Sequence, residues 1–365
     1  MRVLVMGGTQ FNGLALVHEL VRTGHDVTVL NRGQTAATLP RSVRRLIGDR
    51  TDHDRMRELF AHEEFDCVQD MSAYHPEDVQ LMAEIFHGST GHYVFAGSTV
   101  IYASSDLLPI TEDHPVDRGP NQNEYGLHKL LCEDFLIRRH RDRGFPATIV
   151  PFSMVFGPNN AIADREQRMF IRLLRGRPIL VPGDGTALGQ VGHVDDQARA
   201  LCTLMGKPIT FGKRYNLTGS QYFTDEGYVD TFAEVLGVEA DKVFVPPAVM
   251  DAAWDGDLDL ATGTAPTSRI NIRQTDDGRA RAAAGRRRFQ LSMLVQKIAP
   301  NLHRWDRNVV FGIDRLRRDI GWEPEYTFRS MVEHTYEWFR RVGLDTSLQL
   351  DFTFEDQLLA ACRAA

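Results

Sequence analysis

The sequence predicts an α/β chain: a doubly wound parallel sheet joined to a smaller C-terminal α/β domain. Three observations carry this expectation. An unbroken apolar run, Val3-Leu4-Val5-Met6, leads straight into Gly7-Gly8, as a strand buried on both faces of a parallel sheet would. Strand-like runs then alternate with helix-period segments as far as Gly97, the pattern of successive βαβ units. Finally, Gly7, Asn31, Ser72 and Ser98 each fall at the carboxyl end of such a run, and open parallel sheets bind their ligands at those ends.

Composition sets the bounds. The chain has 365 residues, 42% hydrophobic and 25% charged, enough for one large domain and a smaller one. A formal net charge of -7 argues against nucleic acid as the main partner. Cys67, Cys132, Cys202 and Cys362 are far apart, without metal-type spacing, and read as thiols of a reducing compartment. No secretory leader is visible after Met1-Arg2, and no apolar run approaches a membrane span. A cytoplasmic protein with no membrane partner and no bound metal is expected.

The glycine turn comes first. Glycines there let the backbone approach a diphosphate, and the helix opening near Phe11 and Asn12 supplies free N–H groups. The spacing from Gly7-Gly8 to Gly13 departs from G-x-G-x-x-G, so the turn alone leaves both dinucleotide binding and a plain structural turn open. Leu14, Val17, Leu20 and Val21 recur at helical spacing, and Gly24 stops the helix. A second strand, 27–30, ends at Asn31-Arg32, where dinucleotide folds hold an acidic residue for the ribose 2′-hydroxyl. Asn31 can still bond a hydroxyl. Arg32 can pair with a 2′-phosphate or stack on adenine, so NADP is admitted beside NAD; a solvated strand end is the alternative. After a third strand, 43–47, Asp49 either meets the adenine edge or caps the next helix. A fourth strand covers 65–71, a helix 76–86 with Val79, Met82 and Phe86 on one face, and a fifth strand, 92–97, delivers Ser98.

Tyr125 and Lys129 open a helix whose apolar residues are Leu127, Leu130, Leu131, Phe135 and Leu136. Four residues apart, they share a face. A free tyrosine titrates at about pH 10 and is a poor base at neutrality, but a nearby ammonium favours its phenolate. A hydroxyl such as Ser98 can hold a substrate oxygen beside it, which together suits proton transfer at a carbinol. The spacing by itself equally describes a surface Tyr–Lys pair.

With these residues in view, the chain resembles the extended short-chain dehydrogenase/reductase family, whose members include UDP-galactose 4-epimerase. The resemblance is carried by Gly7-Gly8-Thr9-Gln10-Phe11-Asn12-Gly13, Ser98-Thr99-Val100-Ile101-Tyr102 and Tyr125-Gly126-Leu127-His128-Lys129. It continues in Val155-Phe156-Gly157-Pro158, Pro182-Gly183-Asp184-Gly185, His193-Val194-Asp195-Asp196, Tyr215-Asn216-Leu217 and Gly321-Trp322-Glu323-Pro324, all in family order. It implies a Rossmann domain and a catalytic set of Ser98, Tyr125 and Lys129: Tyr125 the acid/base, Lys129 on the nicotinamide ribose and tuning the tyrosine, Ser98 on the reacting oxygen. Gly7, Thr9, Gln10, Phe11 and Gly13 would cradle the pyrophosphate of NAD or NADP, with Asn31, Arg32, Asp49, Ser72, Ala73 and Ser153 along the rest of the cofactor. Thr99, Phe152, His193 and Arg269 would meet substrate. The resemblance also implies a homodimer through the helices after Pro76 and at Tyr125. Three departures stand out. Gln10 replaces a family glycine, as in atypical members such as the chloroplast stem-loop-binding proteins. Pro151 replaces an arginine. Thr99 and Val100 stand where 4,6-dehydratases carry an Asp-Glu pair, which argues against dehydration.

In the second half, the sequence predicts a helix over 164–174, a strand over 178–181 and a helix over 193–205 with Asp195 and Asp196 in its first turn. His193 either reaches substrate or serves as a structural cap. Thr224 caps a helix running to Leu236, and a helix over 327–342 ends at Gly343. The expected division is 1–157, with returns from 190–220, against a mainly substrate-binding 158–365. Within 250–311, Arg269, Arg273, Arg279, Arg281, Arg286, Arg287 and Arg288 crowd together. They read as a phosphate-pairing cover, an RNA-binding patch or a solvated loop. The expected activity is NAD(P)-dependent epimerisation at a secondary alcohol of a nucleotide-linked sugar. A net dehydrogenase or ketoreductase is the alternative, and an RNA-binding or cofactor-sensing protein is the alternative of another class.

Overall fold

The computed structural model describes residues 1–120, 122–160, 162, 165–255, 257–258, 260 and 304–364. The expected substrate contact Arg269 and the arginines from Arg273 to Arg288 lie outside the described residues.

The first half alternates as the sequence indicates: β1 (Arg2–Met6), α1 (Phe11–Arg22), β2 (Asp26–Asn31), β3 (Arg44–Ile47), α2 (His53–Phe60), β4 (Phe65–Asp70), α3 (Pro76–Ile85), β5 (Thr90–Ser98), α4 (Glu124–Arg143) and β6 (Ala147–Phe152). The six strands form one parallel sheet in the order β3-β2-β1-β4-β5-β6. The chain therefore winds outward from β1 to one edge, then restarts at β4 toward the other. A crevice opens at that reversal, beyond the carboxyl ends of the strands.

Side-chain alternation along β1 explains why it sits in the middle. Val3 and Val5 join one core with Leu16, Val17 and Leu20 of α1. Leu4 and Met6 join the opposite core with Met56, Val79, Met82 and Leu136 from α2, α3 and α4. Each such fully buried aliphatic side chain contributes about 1.5–3 kcal/mol, so a strand apolar on both faces is stable only between two helical layers. Pro151 lies in β6, the last strand of this sheet, and its carbonyl accepts from Leu217 N at 2.9 Å, in a segment that bridges the outer side of the strand.

Beyond β6 come β7 (Met154–Phe156), α5 (Glu166–Leu174), β8 (Ile179–Pro182), β9 (Leu188–His193), α6 (Val194–Leu204), β10 (Tyr222–Thr224), α7 (Asp225–Leu236), β11 (Lys242–Val245) and α8 (Pro247–Asp255). They are followed by α9 (Asp314–Ile320), α10 (Phe328–Arg341), α11 (Leu344–Ser347) and α12 (Thr353–Ala364). A three-stranded sheet, β10-β9-β7, and a parallel pair, β11-β8, frame this half. Thr224 caps α7, accepting from Gly227 N at 3.0 Å, as the sequence indicates.

Val194, Ala198 and Leu201 of α6 share the core of α1, and Leu217 bridges Phe152. Ile313, Leu316 and Trp322 also enter that core. Among the described residues no helix is long and apolar enough to cross a membrane.

Candidate active site

The carboxyl ends of β1, β2, β4, β5 and β6 open onto one cleft of about 570 Å³, lined among others by Gly7, Asn31, Ser72, Ser98 and Ser153. At its floor is the glycine turn. Gly7 has φ +90, which a side chain would strain. A Cβ on Gly13 would stand 2.1 Å from the Gly7 carbonyl oxygen. Backbone thus packs on backbone, leaving the N-terminal end of α1 bare toward the cleft. Gln10 holds ordinary extended backbone, φ -141 and ψ 146, and its exposed side chain stays out of the packing. The replaced glycine is therefore not needed at that position. Besides Gly7, the turn's other positive φ falls on Phe11, at 37. Gly13→Ala is expected to force the turn apart, destabilising the fold by about 1–3 kcal/mol or more. It should also strip the dinucleotide; thermal melting and the cofactor retained on purification check this.

Thr9, Gln10, Phe11, Arg32 and Asp49 also face the cleft. Asn31 Oδ1 accepts from Gly33 N at 2.8 Å. Its Nδ2 is buried with no hydrogen-bond partner among the described residues, an orphan donor suited to a ribose hydroxyl. Asp49 accepts from Thr51 N at 3.0 Å, while Asp52 caps α2 by accepting from Arg55 N. The capping alternative for Asp49 is thereby replaced by a turn that borders the cleft.

Arg50, which the motifs do not single out, organises the next wall. It bonds Asp70 through two nitrogens at 2.8 and 2.9 Å and Ser72 Oγ at 3.0 Å. Tyr93 donates to the same carboxylate at 2.5 Å. Burial opposes charge on Asp70, but the Arg50 charge and hydrogen bonds outweigh it and hold its pKa below the usual carboxylate range. The one signal in the sequence is Asp70 itself, an acid ending an apolar strand, which must find a cation once buried.

The three expected catalytic residues come together. Ser98 ends β5. Asn123 caps α4, accepting from Gly126 N at 2.7 Å, which sets Tyr125 in the first turn. Lys129 stands one turn on, buried. Its Nζ donates to the carbonyls of Ala73 and Ala96, each at 2.7 Å. It lies 4.7 Å from the Tyr74 ring centroid and 5.8 Å from that of Tyr125. Burial pushes the Tyr125 pKa up; a hydrogen bond with Ser98 and the charge of Arg165 pull it down. Arg165 also lines the cleft. Tyr74, 5.8 Å from Tyr125 between ring centroids, completes this corner. Neither Tyr74 nor Arg165 stands in a motif that would have flagged it.

Three expected site residues do not line the cleft. Ala73 is buried and contributes its carbonyl to Lys129. Thr99 is fully buried and donates to the Phe152 carbonyl at 3.2 Å, although Phe152 itself reaches the cleft. His193 is a correction: it is 0% exposed and caps α6, with Nδ1 accepting from Asp195 N at 3.2 Å. It stacks on Tyr326 at 3.6 Å, and its Nε2 lies 3.1 Å from His334 Nδ1. Burial pushes its pKa down to about 3. A neutral ring whose Nδ1 accepts carries its proton on Nε2, so the side chain is committed to the fold and withheld from substrate.

The family model described as NAD dependent epimerase/dehydratase family matches residues 3–218, the span from β1 through α6. The chloroplast stem-loop binding protein of 41 kDa b from Arabidopsis thaliana is 27% identical, over 98% of this chain and 84% of its own length. The 2'-dehydrokanamycin reductase of Streptomyces kanamyceticus is 27% identical over 74% of this chain and 75% of its own. A UDP-glucose 4-epimerase from Thermotoga maritima, solved with UDP-glucose, shares the fold. Its TM-score is 0.68 at 19% identity, covering 94% of this chain and 99% of that one. With more than half of its length matched, the chain belongs to the NAD-dependent epimerase/dehydratase family.

Proposed function

We propose that this protein binds NAD and epimerises a secondary carbinol of a nucleotide-linked sugar through transient oxidation. The observation that carries the reading is the meeting of Ser98, Tyr125 and Lys129 at the end of β5, in the same cleft as the glycine turn. The cleft suits a dinucleotide. Gly7 and Gly13 leave no room for a Cβ, and Asn31 offers an unpaired buried donor. Bound there, the nicotinamide would accept the carbinol hydride and return it. The Ser98 hydroxyl orients the reacting oxygen. Tyr125 takes the hydroxyl proton and restores it after inversion, while Lys129, with two of its three protons given to carbonyls, has one left for the ribose.

Exposed Arg32, at the rim beside Asn31, is the feature that would admit NADP. Dehydration is disfavoured, since Thr99 is buried against a carbonyl and Val100 is apolar. Leu127, Leu131 and Phe135, spaced four apart on α4 and left partly exposed, support a homodimer through α3 and α4. Four free thiols fit a cytoplasmic location.

A net ketoreductase is the second reading, supported by the reductase relative that spans three quarters of the chain. Turnover of a nucleotide-sugar panel by the cofactor-loaded protein separates the readings. Epimer without net change in nicotinamide absorbance is expected. Stoichiometric consumption of reduced cofactor would favour the ketoreductase, and inertness toward every sugar with salt-sensitive RNA binding would overturn both.

A further inference from the structure

We propose that Arg50 is a positioning residue for Lys129: it fixes the loop after β4, and that loop aims the lysine ammonium. The inference rests on the proposed function, in which Lys129 serves the cofactor ribose beside Tyr125. Arg50 comes from the turn after β3, and its side chain lines the cleft. It joins two carboxylates that bracket residues 71–75. Asp70, at the end of β4, takes both terminal nitrogens, at 2.8 and 2.9 Å. Asp78, in the first turn of α3, has Oδ1 3.5 Å from Arg50 Nε. The two acidic side chains are 0% and 9% exposed, and charges so buried depend on the cation between them.

Both carboxylates spend further lone pairs on the loop backbone. Asp70 Oδ1 accepts from Ser72 N and Ala73 N at 3.1 and 3.0 Å. Asp78 Oδ2 accepts from Tyr74 N and His75 N at 3.1 and 3.2 Å. Four consecutive amides thus end on two acids joined by one guanidinium. Arg50 also donates to Ser72 Oγ at 3.0 Å. The fit is close: a Cβ on Gly7 would stand 2.9 Å from Ser72 Cβ, so the loop packs directly on the glycine turn. What the loop delivers is the Ala73 carbonyl, 2.7 Å from Lys129 Nζ, and the Tyr74 ring, whose centroid is 4.7 Å from Nζ. The other carbonyl on Nζ, that of Ala96, belongs to β5 and is fixed by the sheet. The Ala73 carbonyl depends instead on Arg50 and its two acids. A lysine ammonium carries rotatable donors on a flexible stem. Without that acceptor it is free to turn away from Tyr125, whose ring centroid lies 5.8 Å from Nζ.

The experiment is acetylation of lysines in the full-length Arg50→Gln protein, read by peptide mass spectrometry. Lys129 is 3% exposed, while exposed Lys207 and Lys213 serve as references. Lys129 labelling relative to those references is expected to rise about tenfold over the parent. Arg50→Met combined with Asp70→Asn, which leaves no lone charge at the end of β4, serves if the glutamine variant unfolds, and the same rise is expected. Where turnover is measurable, Arg50→Gln should lower kcat by about 10²-fold, as misplacement of a reacting group does, with KM for the sugar little changed. In a Lys129→Met background the same substitution should cost less than about threefold more, because its effect passes through the lysine. Unmoved labelling in a folded variant, or equal losses of kcat in the two backgrounds, would overturn the proposal. The labelling needs no substrate, so inertness toward every nucleotide sugar would strike the proposed function and leave the placement of Lys129 to be decided by the labelling alone.

Discussion

Tyr125→Phe is expected to lower turnover by about 10²–10⁴-fold, the usual contribution of a positioned acid/base, with the fold and dinucleotide binding intact. Only the hydroxyl is removed. The ring keeps its neighbour Tyr74 at 5.8 Å, and the cap of α4 by Asn123 does not involve it. In free energy the loss is about 2.7–5.4 kcal/mol of barrier, and because the proton moves only in the reaction it should fall on kcat. The measurement is steady-state kinetics on UDP-glucose and related nucleotide sugars, with circular dichroism and retained cofactor as controls. Full turnover in a folded, cofactor-bearing variant would remove Tyr125 from the mechanism.

Glu355→Ala is expected to cost about 3–5 kcal/mol of stability, as breaking a buried ion pair from one side does. Glu355 is 2% exposed and serves two guanidiniums, Arg168 at 2.6 Å and Arg172 at 3.2 Å, which are 2% and 3% exposed. Its loss takes the same carboxylate from both guanidiniums at once, so the penalty exceeds that of any single contact. Phe352 stacks beneath Arg168 with 5.0 Å from the guanidinium carbon to the ring centroid, so the same cluster locks α12 to α5. Urea unfolding measures the loss. Replacing Arg168, Arg172 and Glu355 together by apolar residues of similar volume should recover much of it, and a Glu355→Ala midpoint equal to the parent's would contradict this account of how the C-terminus is held.

Features encoded locally were legible in the sequence. The two-sided apolarity of Val3 to Met6, the glycine turn and the Tyr125–Lys129 spacing are short-range patterns, and all sit where they were expected. What depended on distant parts of the chain was not. Arg50 finds Asp70 and Ser72, with Tyr93 on the same carboxylate, only once the sheet is built. The two readings of His193 stayed open because a histidine at a strand end looks the same whether it faces a cleft or the Tyr326 ring. Ile313, Leu316 and Trp322 pack into the first core from more than a hundred residues downstream of α6, a contact that local pattern does not announce.

The central claim is that the sugar carbon inverts by giving up a hydride and taking the same hydride back. Epimerisation run in deuterium oxide, with the product read by mass spectrometry and proton NMR, tests it most directly. An inverted product with no deuterium on carbon is expected, because Tyr125 and Ser98 exchange protons only at oxygen. Deuterium at the inverted carbon would mean that a C–H proton is lost to solvent, and would contradict the account.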